Sequence, residues 1–373
     1  MWLYLLLVGV ALFWSGVVVR VRRSRADERY KLGPGAAVAD NLPRLTVVVP
    51  ARDEARNIAD CLGAIRRSDH PNLDVLVFDD GSGDNTAALA RAEGARVLDG
   101  GNAVVPSGWK GKPWALHRAV EGLTADYLVF IDADVRVVPQ ALSRLHSYLL
   151  AERVDLVSGF GRLVMESFWE RVIQPSVGGL IIAGNDLAVV NDPAKPDKAI
   201  ANGQLIMVRR AAYELVGGHA AVKDDILDDV GLALAFRRRG LSVRCLFVRE
   251  LFSCRMYTGF SELWHGWTKN LYPGMRFKPA AVVAVIGLVL VEFLSPYAVL
   301  AWALATANFP LAAAAAGVVL LIHAVRAYMD HLFQQDPKYG LLQPLGASLL
   351  VGLVLDSVRR TRLGLRHWKG RTY

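Results

Sequence analysis

Cysteine is scarce in this 373-residue chain: Cys61, Cys245 and Cys254 are the only three, odd in number and without metal-ligand spacing. That excludes a disulfide scaffold and a close-spaced zinc site, and fits a reduced compartment. Glycine is missing from the first strand-like run, "RLTVVVPARDE" at 44–54, where a nucleotidyltransferase would be expected to carry a Gly-rich, Arg-containing phosphate loop. The net charge is +8, yet basic and aromatic residues do not interleave in the manner of nucleic-acid binders, so no nucleic-acid partner is expected. Much of the excess charge flanks apolar blocks, where it suits an anionic leaflet. Internal repeats are absent, and the one low-complexity piece is "LAAAAAG".

What is abundant is apolar length, with 53% hydrophobic residues. Residues 1–19 hold no charge and are just long enough to span a bilayer core, and the basic cluster "RVRRSR" follows them where a signal peptide would place charge first. This predicts a retained anchor over 1–21, amino terminus outside, and a basic linker over 22–43. Three further apolar blocks, 280–306, 310–328 and 341–358, form a C-terminal membrane region, with Glu292 and Ser295-Pro296 interrupting the first. Three full crossings would put the basic tail 359–373 outside, against the positive-inside tendency. A broken hairpin in the first block, or a re-entrant block, would keep it cytoplasmic. The expectation is a multi-pass inner-membrane protein with its domain and tail in the cytoplasm.

Between the anchors, 44–255 reads as an α/β domain. Strand-like runs at 44–50, 73–80, 126–132 and 154–160 alternate with helical stretches near 54–67, 84–93, 112–123 and 139–151. That order predicts a mostly parallel sheet flanked by helices, with ligands at the carboxyl ends of its strands. The first three strands all end in acid: Asp53 and Glu54, then Asp79 and Asp80, then Asp132 and Asp134. One such acid would be an ordinary helix cap. Three in succession at one edge point to a site, and the D-x-D pair suits a hard divalent ion, Mg²⁺ or Mn²⁺, completed by phosphate oxygens.

The ordered set "VVVPARDE", "VFDDGSGDNT", "GKPWAL", "FIDAD" and "ILDD" before "GLALAFRRRG" resembles membrane-bound glycosyltransferase family 2. More narrowly, "MYTGFSELWHGWTKNLYPG" and "WKGRTY" resemble the bacterial carotenoid- and hopanoid-associated glycosyltransferases. The resemblance implies a GT-A fold, a nucleotide-sugar donor with a lean to UDP, a divalent metal and inversion at the anomeric carbon. It places Pro50, Arg52 and Asp53 along the nucleoside, Asp79 and Asp80 at the uracil, and Asp132 and Asp134 on ribose, diphosphate and metal. Lys112 falls at the diphosphate, though a solvated loop cation is equally in keeping with its type. Asp228-Asp229 stands where the family has its acid pair, Asp229 as base; independently, an attacking hydroxyl needs a carboxylate opposite the leaving group. Asp229 would otherwise cap the following helix, and Asp224 and Asp225 are rivals.

The family's processive members carry Q-x-x-R-W in an interfacial helix. Here 256–279 is the corresponding interfacial segment and reads "LWHGWTKN", with Lys269 as the remaining cation for phosphate and Trp264 and Trp267 as interface aromatics. The departure favours transfer of one sugar, glucose by the resemblance, to the hydroxyl of a lipid acceptor in the membrane such as a carotenoid or hopanoid. The alternatives are a polyprenyl-phosphate sugar transferase and a sphingolipid or glycerolipid glycosyltransferase. A non-catalytic scaffold would have no use for the acids. The apolar stretch 160–200 forms either a lipid-facing wall or core. Oligomeric state is not indicated.

Overall fold

The computed structural model describes residues 1–101, 104–365, 367–368 and 371–372, so Arg366, Lys369, Gly370 and Tyr373 of the basic tail lie outside the described residues. The helix α1 is Trp2–Ala26. The domain then runs β1 Leu45–Ala51, α2 Ile58–Arg66, β2 Leu73–Asp79, α3 Thr86–Ala92, β3 Arg96–Asp99, α4 Gly111–Ala119, β4 Tyr127–Ile131, β5 Val135–Val137, α5 Ala141–Ala151, β6 Leu156–Phe160 and β7 Arg162–Leu163. It continues with α6 Phe168–Gly184, α7 Leu187–Val190, β8 Leu205–Arg209, α8 Arg210–Leu215, α9 Asp228–Arg238, β9 Val243–Phe247 and β10 Phe252–Cys254. After it come α10 Phe260–Gly274, α11 Pro279–Leu288, a π-helical turn Val289–Leu294, α12 Ser295–Ala305, α13 Phe309–Leu332 and α14 Gln343–Arg362.

Seven strands form the main sheet in the order β3-β2-β1-β4-β8-β6-β9. β1 lies parallel to β2 and β4, with Leu45 opposite both Leu73 and Tyr127. Helices cover both faces: Ile58 and Leu62 of α2 with Leu142 and Leu145 of α5 pack on one, Leu116 of α4 with Leu232 and Phe236 of α9 on the other. This double cover is why β1 reads as an unbroken apolar run instead of an alternating one. The run at 154–160 does not follow β4 directly in the sheet, because β8 is inserted antiparallel between β4 and β6. Its reversed direction brings the preceding turn, Asn202–Gln204, to the edge where β1, β2 and β4 end. A loop that sequence order would send to the far side therefore faces the acids.

Among the described residues four helices are long and apolar enough to cross a membrane: Trp2–Arg23, Pro279–Ala305, Phe309–Leu332 and Pro337–Arg362. The first C-terminal block is not broken into a hairpin. It is one helical rod from α11 through the π turn to α12, and Trp14 Nε1 donates to the Glu292 carbonyl at 2.9 Å. A π turn frees a carbonyl from the regular ladder, and the indole satisfies it. α12 and α13 form a hairpin against which α1 packs. The C-terminal end of α13 is fastened to the domain by Arg249, which donates to the Leu332 carbonyl at 2.7 Å.

α14 is placed differently, packing along α10 and α6. Trp264 Nε1 donates to Asp356 at 2.9 Å and Ser357 Oγ to the Thr268 carbonyl at 2.6 Å. At its other end Arg326 Nη1 of α13 donates to Gln343 at 2.6 Å. α10 is itself tied to the domain at both ends, by Arg56 to Glu262 at 3.1 Å and by Arg276 to the Asp197 carbonyl at 3.1 Å. Trp267 is buried in this packing and Trp264 is locked to Asp356, so both serve as core or anchor side chains.

Two buried histidines report on the domain's stability. His146 Nδ1 lies 2.9 Å from His70 Nε2, and burial, with His70 beside it, lowers His146 to about 4. Burial, then Lys112 and His117, lowers His219 to about 3. A histidine lowered on folding stabilises above its unfolded value near 6.5 and loses that contribution as the pH falls below it, about 2 kcal/mol each between pH 7 and 5. His146→Leu is therefore expected to shrink the drop in unfolding midpoint between pH 7 and pH 5; an unchanged drop would remove His146 from the account.

Candidate active site

The site is assembled where β1, β2 and β4 end and the turn before β8 meets them. Lys112, in the first turn of α4, donates from Nζ to Asp132 Oδ1 at 2.5 Å and to the Gly203 carbonyl at 3.3 Å. Burial would pull Lys112 down, but Asp132, Asp228 and Asp229 together outweigh it and hold the ammonium above its ordinary range. With 33% and 31% of their side chains exposed, Lys112 and Asp132 remain within reach of a ligand. The Gly203 N–H donates to Asp229 Oδ2 at 2.7 Å, while Asp229 Oδ1 accepts from the Val230 N–H at 2.8 Å. A Cβ at Gly203 would stand 3.1 Å from Asp229 Oδ2 and 3.3 Å from Lys112 Nζ, so a larger residue there would push these two groups aside by a few tenths of an ångström. Lys112, Gly203 and Asp229 thus link the D-x-D strand to the start of α9.

The two acid pairs differ in how they are held. Asp229 has both oxygens on backbone donors, and burial raises it against Lys112 and those donors. Asp228, on the same turn, is pushed up to about 7 by burial, opposed by Lys112 and aided by Asp229 and Asp132. Asp134 is pushed up to about 7 by burial, then by Asp132 and Glu54, while the Cys254 thiol donates to it and pulls the other way. Asp134 Oδ1 is buried without a hydrogen-bond partner among the described residues. A buried carboxylate oxygen left so is costly unless something arrives to fill it.

Among the described residues no three His, Cys, Asp or Glu side chains gather to hold a metal. The orphan oxygen of Asp134 with the neighbouring Asp132 nonetheless fits a hard divalent ion whose other ligands come from a bound phosphate group.

Of the other expected residues, Pro50, Arg52, Asp53, Asp80 and Lys269 line the same cavity of about 2470 Å³ as Lys112, Asp132, Asp134, Asp228 and Asp229. Arg52 Nη1 donates to the Asp80 carbonyl at 2.6 Å. Asp53, at φ 51°, accepts from the Gly83 N–H at 2.8 Å and its own N–H donates to Ser82 Oγ at 3.0 Å. Asp79 does not line the cavity; its carboxylate accepts from the Ser82 hydroxyl and N–H, closing the turn after β2. Asp224 and Asp225 also lie outside it. Gly203 and Cys254 are not among the site residues the sequence predicts. The Asn-Gly pair ahead of "QLIMV" is a turn signal that marks the first, and nothing local marks the second.

Residues 46–214 match the family model described as glycosyl transferase family 2. The chain is 27% identical over 342 residues to the 4,4'-diaponeurosporenoate glycosyltransferase of Staphylococcus aureus strain MRSA252, covering 89% of each chain. The protein of the same name from the bovine strain RF122 / ET3-1 is also 27% identical, over 345 residues and 89% of each chain. Among solved structures, the mannosyltransferase PcManGT from Pyrobaculum calidifontis, in complex with GDP-Man and Mn²⁺, superposes with a TM-score of 0.55 at 17% identity, covering 96% of this chain and 99% of that one. That likeness establishes a shared GT-A-like fold. With the sheet, its acid-lined edge and the family match in agreement, the chain carries a glycosyltransferase family 2 domain.

Proposed function

We propose that the chain transfers one sugar, glucose, from a UDP-sugar to the polar end of a carotenoid in the membrane, with inversion at the anomeric carbon. The observation that carries this reading is the two acid pairs facing one cavity, Asp132 with Asp134 and Asp228 with Asp229, linked through Lys112 and Gly203. The carotenoid acceptor is supported by the relatives, whose name gives a carotenoid acid as substrate and whose similarity extends over 89% of the chain.

Each residue then has a task. Pro50, Arg52, Asp53 and the turn held by Asp79 and Asp80 receive the nucleoside, and Lys112 and Lys269 face the diphosphate. Asp134 and Asp132 would hold Mg²⁺ or Mn²⁺, which when bound neutralises charge gathering on the leaving diphosphate. Asp229, aimed by the Gly203 and Val230 N–H groups, takes the proton from the attacking oxygen, with Asp228 beside it.

A second reading concerns that oxygen alone. A carotenoid hydroxyl must lose its proton as the bond forms, whereas a carboxylate, the form named for the relatives, arrives ionised and needs no base. For a hydroxyl acceptor, Asp229→Asn should lower transfer by about 10² to 10⁴ with donor affinity nearly unchanged, and Asp228→Asn should cost less. Normal transfer by Asp229→Asn would favour the carboxylate acceptor, and loss in Asp228→Asn alone would move the base by one residue.

For the metal, Asp134→Ala is expected to abolish transfer and weaken donor binding, and exhaustive chelation should do the same to the intact protein. Full transfer after chelation would overturn the metal assignment.

The domain is proposed to face the cytoplasm. α1, the rod from Pro279 to Ala305 and α13 cross the membrane, while α14, tied to α10 and to the domain-proximal end of α13, lies along the interface. Three crossings from an outside amino terminus return the chain to the cytoplasm at Leu332, where Arg249 of the domain binds it. The native cysteines are buried, so a single introduced thiol reports alone. Cysteines placed at Glu28 and Leu363 should resist impermeant reagents in intact cells; labelling at Leu363 would mean that α14 crosses.

A further inference from the structure

α6 carries a feature that its packing does not explain. Gln174 is fully buried, yet neither its amide nitrogen nor its amide oxygen has a hydrogen-bond partner among the described residues. Burying an amide unsatisfied costs on the order of 2 kcal/mol or more. One and two turns further along the same face, at spacings of four, seven and eight, come Gly178, Ile181 and Ile182. All four line the cavity that holds the acids, and so do Trp14 of α1 and Val289 of the π turn.

The glycines sharpen the point. Gly178 and Gly179 sit inside a helix, where glycine costs about 1 kcal/mol relative to alanine. Close packing is not the reason, because a Cβ at either position would meet nothing within 4 Å. What they leave is open space beside the cavity, while Val172, Ile173 and Val177 pack into the core with α10 and α14, and Ile181 borders both core and cavity. The cavity, about 2470 Å³, exceeds the roughly 300–1,000 Å³ of an ordinary small-ligand pocket. A nucleotide-sugar at the sheet edge would leave its apolar end unfilled.

We propose that this face of α6, with Trp14 and the π turn opposite, is the acceptor channel: Gly178 sets its width for a long, rigid apolar chain, and the Gln174 amide hydrogen-bonds a polar atom near the chain's reacting end. The proposal rests on the lipid-acceptor reading above and names the residues that enforce it. Gln174 supplies both a donor and an acceptor, so it serves a hydroxyl or a carboxylate alike. An oxygenated chain end would satisfy the amide, a gain that a chain lacking oxygen does not bring.

The test measures acceptor binding without donor. Purified full-length protein in detergent is titrated with a carotenoid alcohol and with the matching carotenoid acid, and polyene quenching of tryptophan fluorescence reads occupancy, since Trp14 and Trp267 line the cavity. Substitutions at Gly178 to Ala, Leu and Phe should weaken binding progressively, reaching at least tenfold at Phe. A role in helix stability alone would make Ala the best of the series and leave binding flat. Gln174→Leu should weaken the oxygenated polyenes about tenfold and a hydrocarbon polyene hardly at all. Nucleotide-sugar binding shows that each variant is folded, and if Gly178→Phe fails that check the Gln174→Leu comparison decides alone. Unchanged polyene binding in Gln174→Leu and across the Gly178 series overturns the channel. A wild type that binds the polyene but transfers no sugar to it would instead overturn the proposed reaction and leave the channel standing.

Discussion

One ammonium makes this site possible. Asp132, Asp134, Asp228 and Asp229 converge on one end of a sheet, where two like charges 4 Å apart repel by about 4 kcal/mol at an effective dielectric of 20. Lys112 sits among them, bonded to Asp132 and reaching the Gly203 carbonyl, and its charge opposes the burial that would otherwise neutralise the acids of α9. The compensation is incomplete. Asp134 and Asp228 both rise to about 7, and Asp134 keeps an orphan oxygen. Under the proposed function, that oxygen of Asp134 is where a further cation would be received.

The fold serves that edge. Parallel β1, β2 and β4 deliver acids from one direction, and antiparallel β8 returns a glycine turn from the other, so Gly203 can bridge Lys112 and Asp229. Below it, α6, α10 and α14 form a packed layer whose core faces are unlike their cavity faces. α6 shows the division on a single helix. Val172, Ile173 and Val177 are core, Gln174, Gly178 and Ile182 line the cavity, and Ile181 borders both.

The parts legible in the sequence were those with local cause. β1 and β4 announce themselves because a strand buried on both faces must be apolar throughout, and the acids announce themselves because each interrupts such a run. α10 and α14 show why the rest was hidden. The pairing of Trp264 with Asp356 joins residues 92 positions apart, and no local pattern reports it. β8 is hidden because four apolar residues between an Asn-Gly-Gln turn and two arginines carry no sign of direction, and direction is what puts the turn at the site. The π turn misled in the opposite sense: Glu292 and Ser295-Pro296 look like a break, yet the Trp14 indole completes the freed carbonyl and the rod continues. Gln174 is invisible as a site in sequence because its significance is the absence of a partner in space.

The central claim, that this acid edge moves one sugar onto a carotenoid, is tested most directly by mass spectrometry of lipids from cells that make the intact chain and cells that lack it. The account predicts a carotenoid species heavier by a single hexose in the first and absent from the second. A hexose found on a polyprenyl phosphate, a ladder of several hexoses, or identical lipids in the two cells would contradict it.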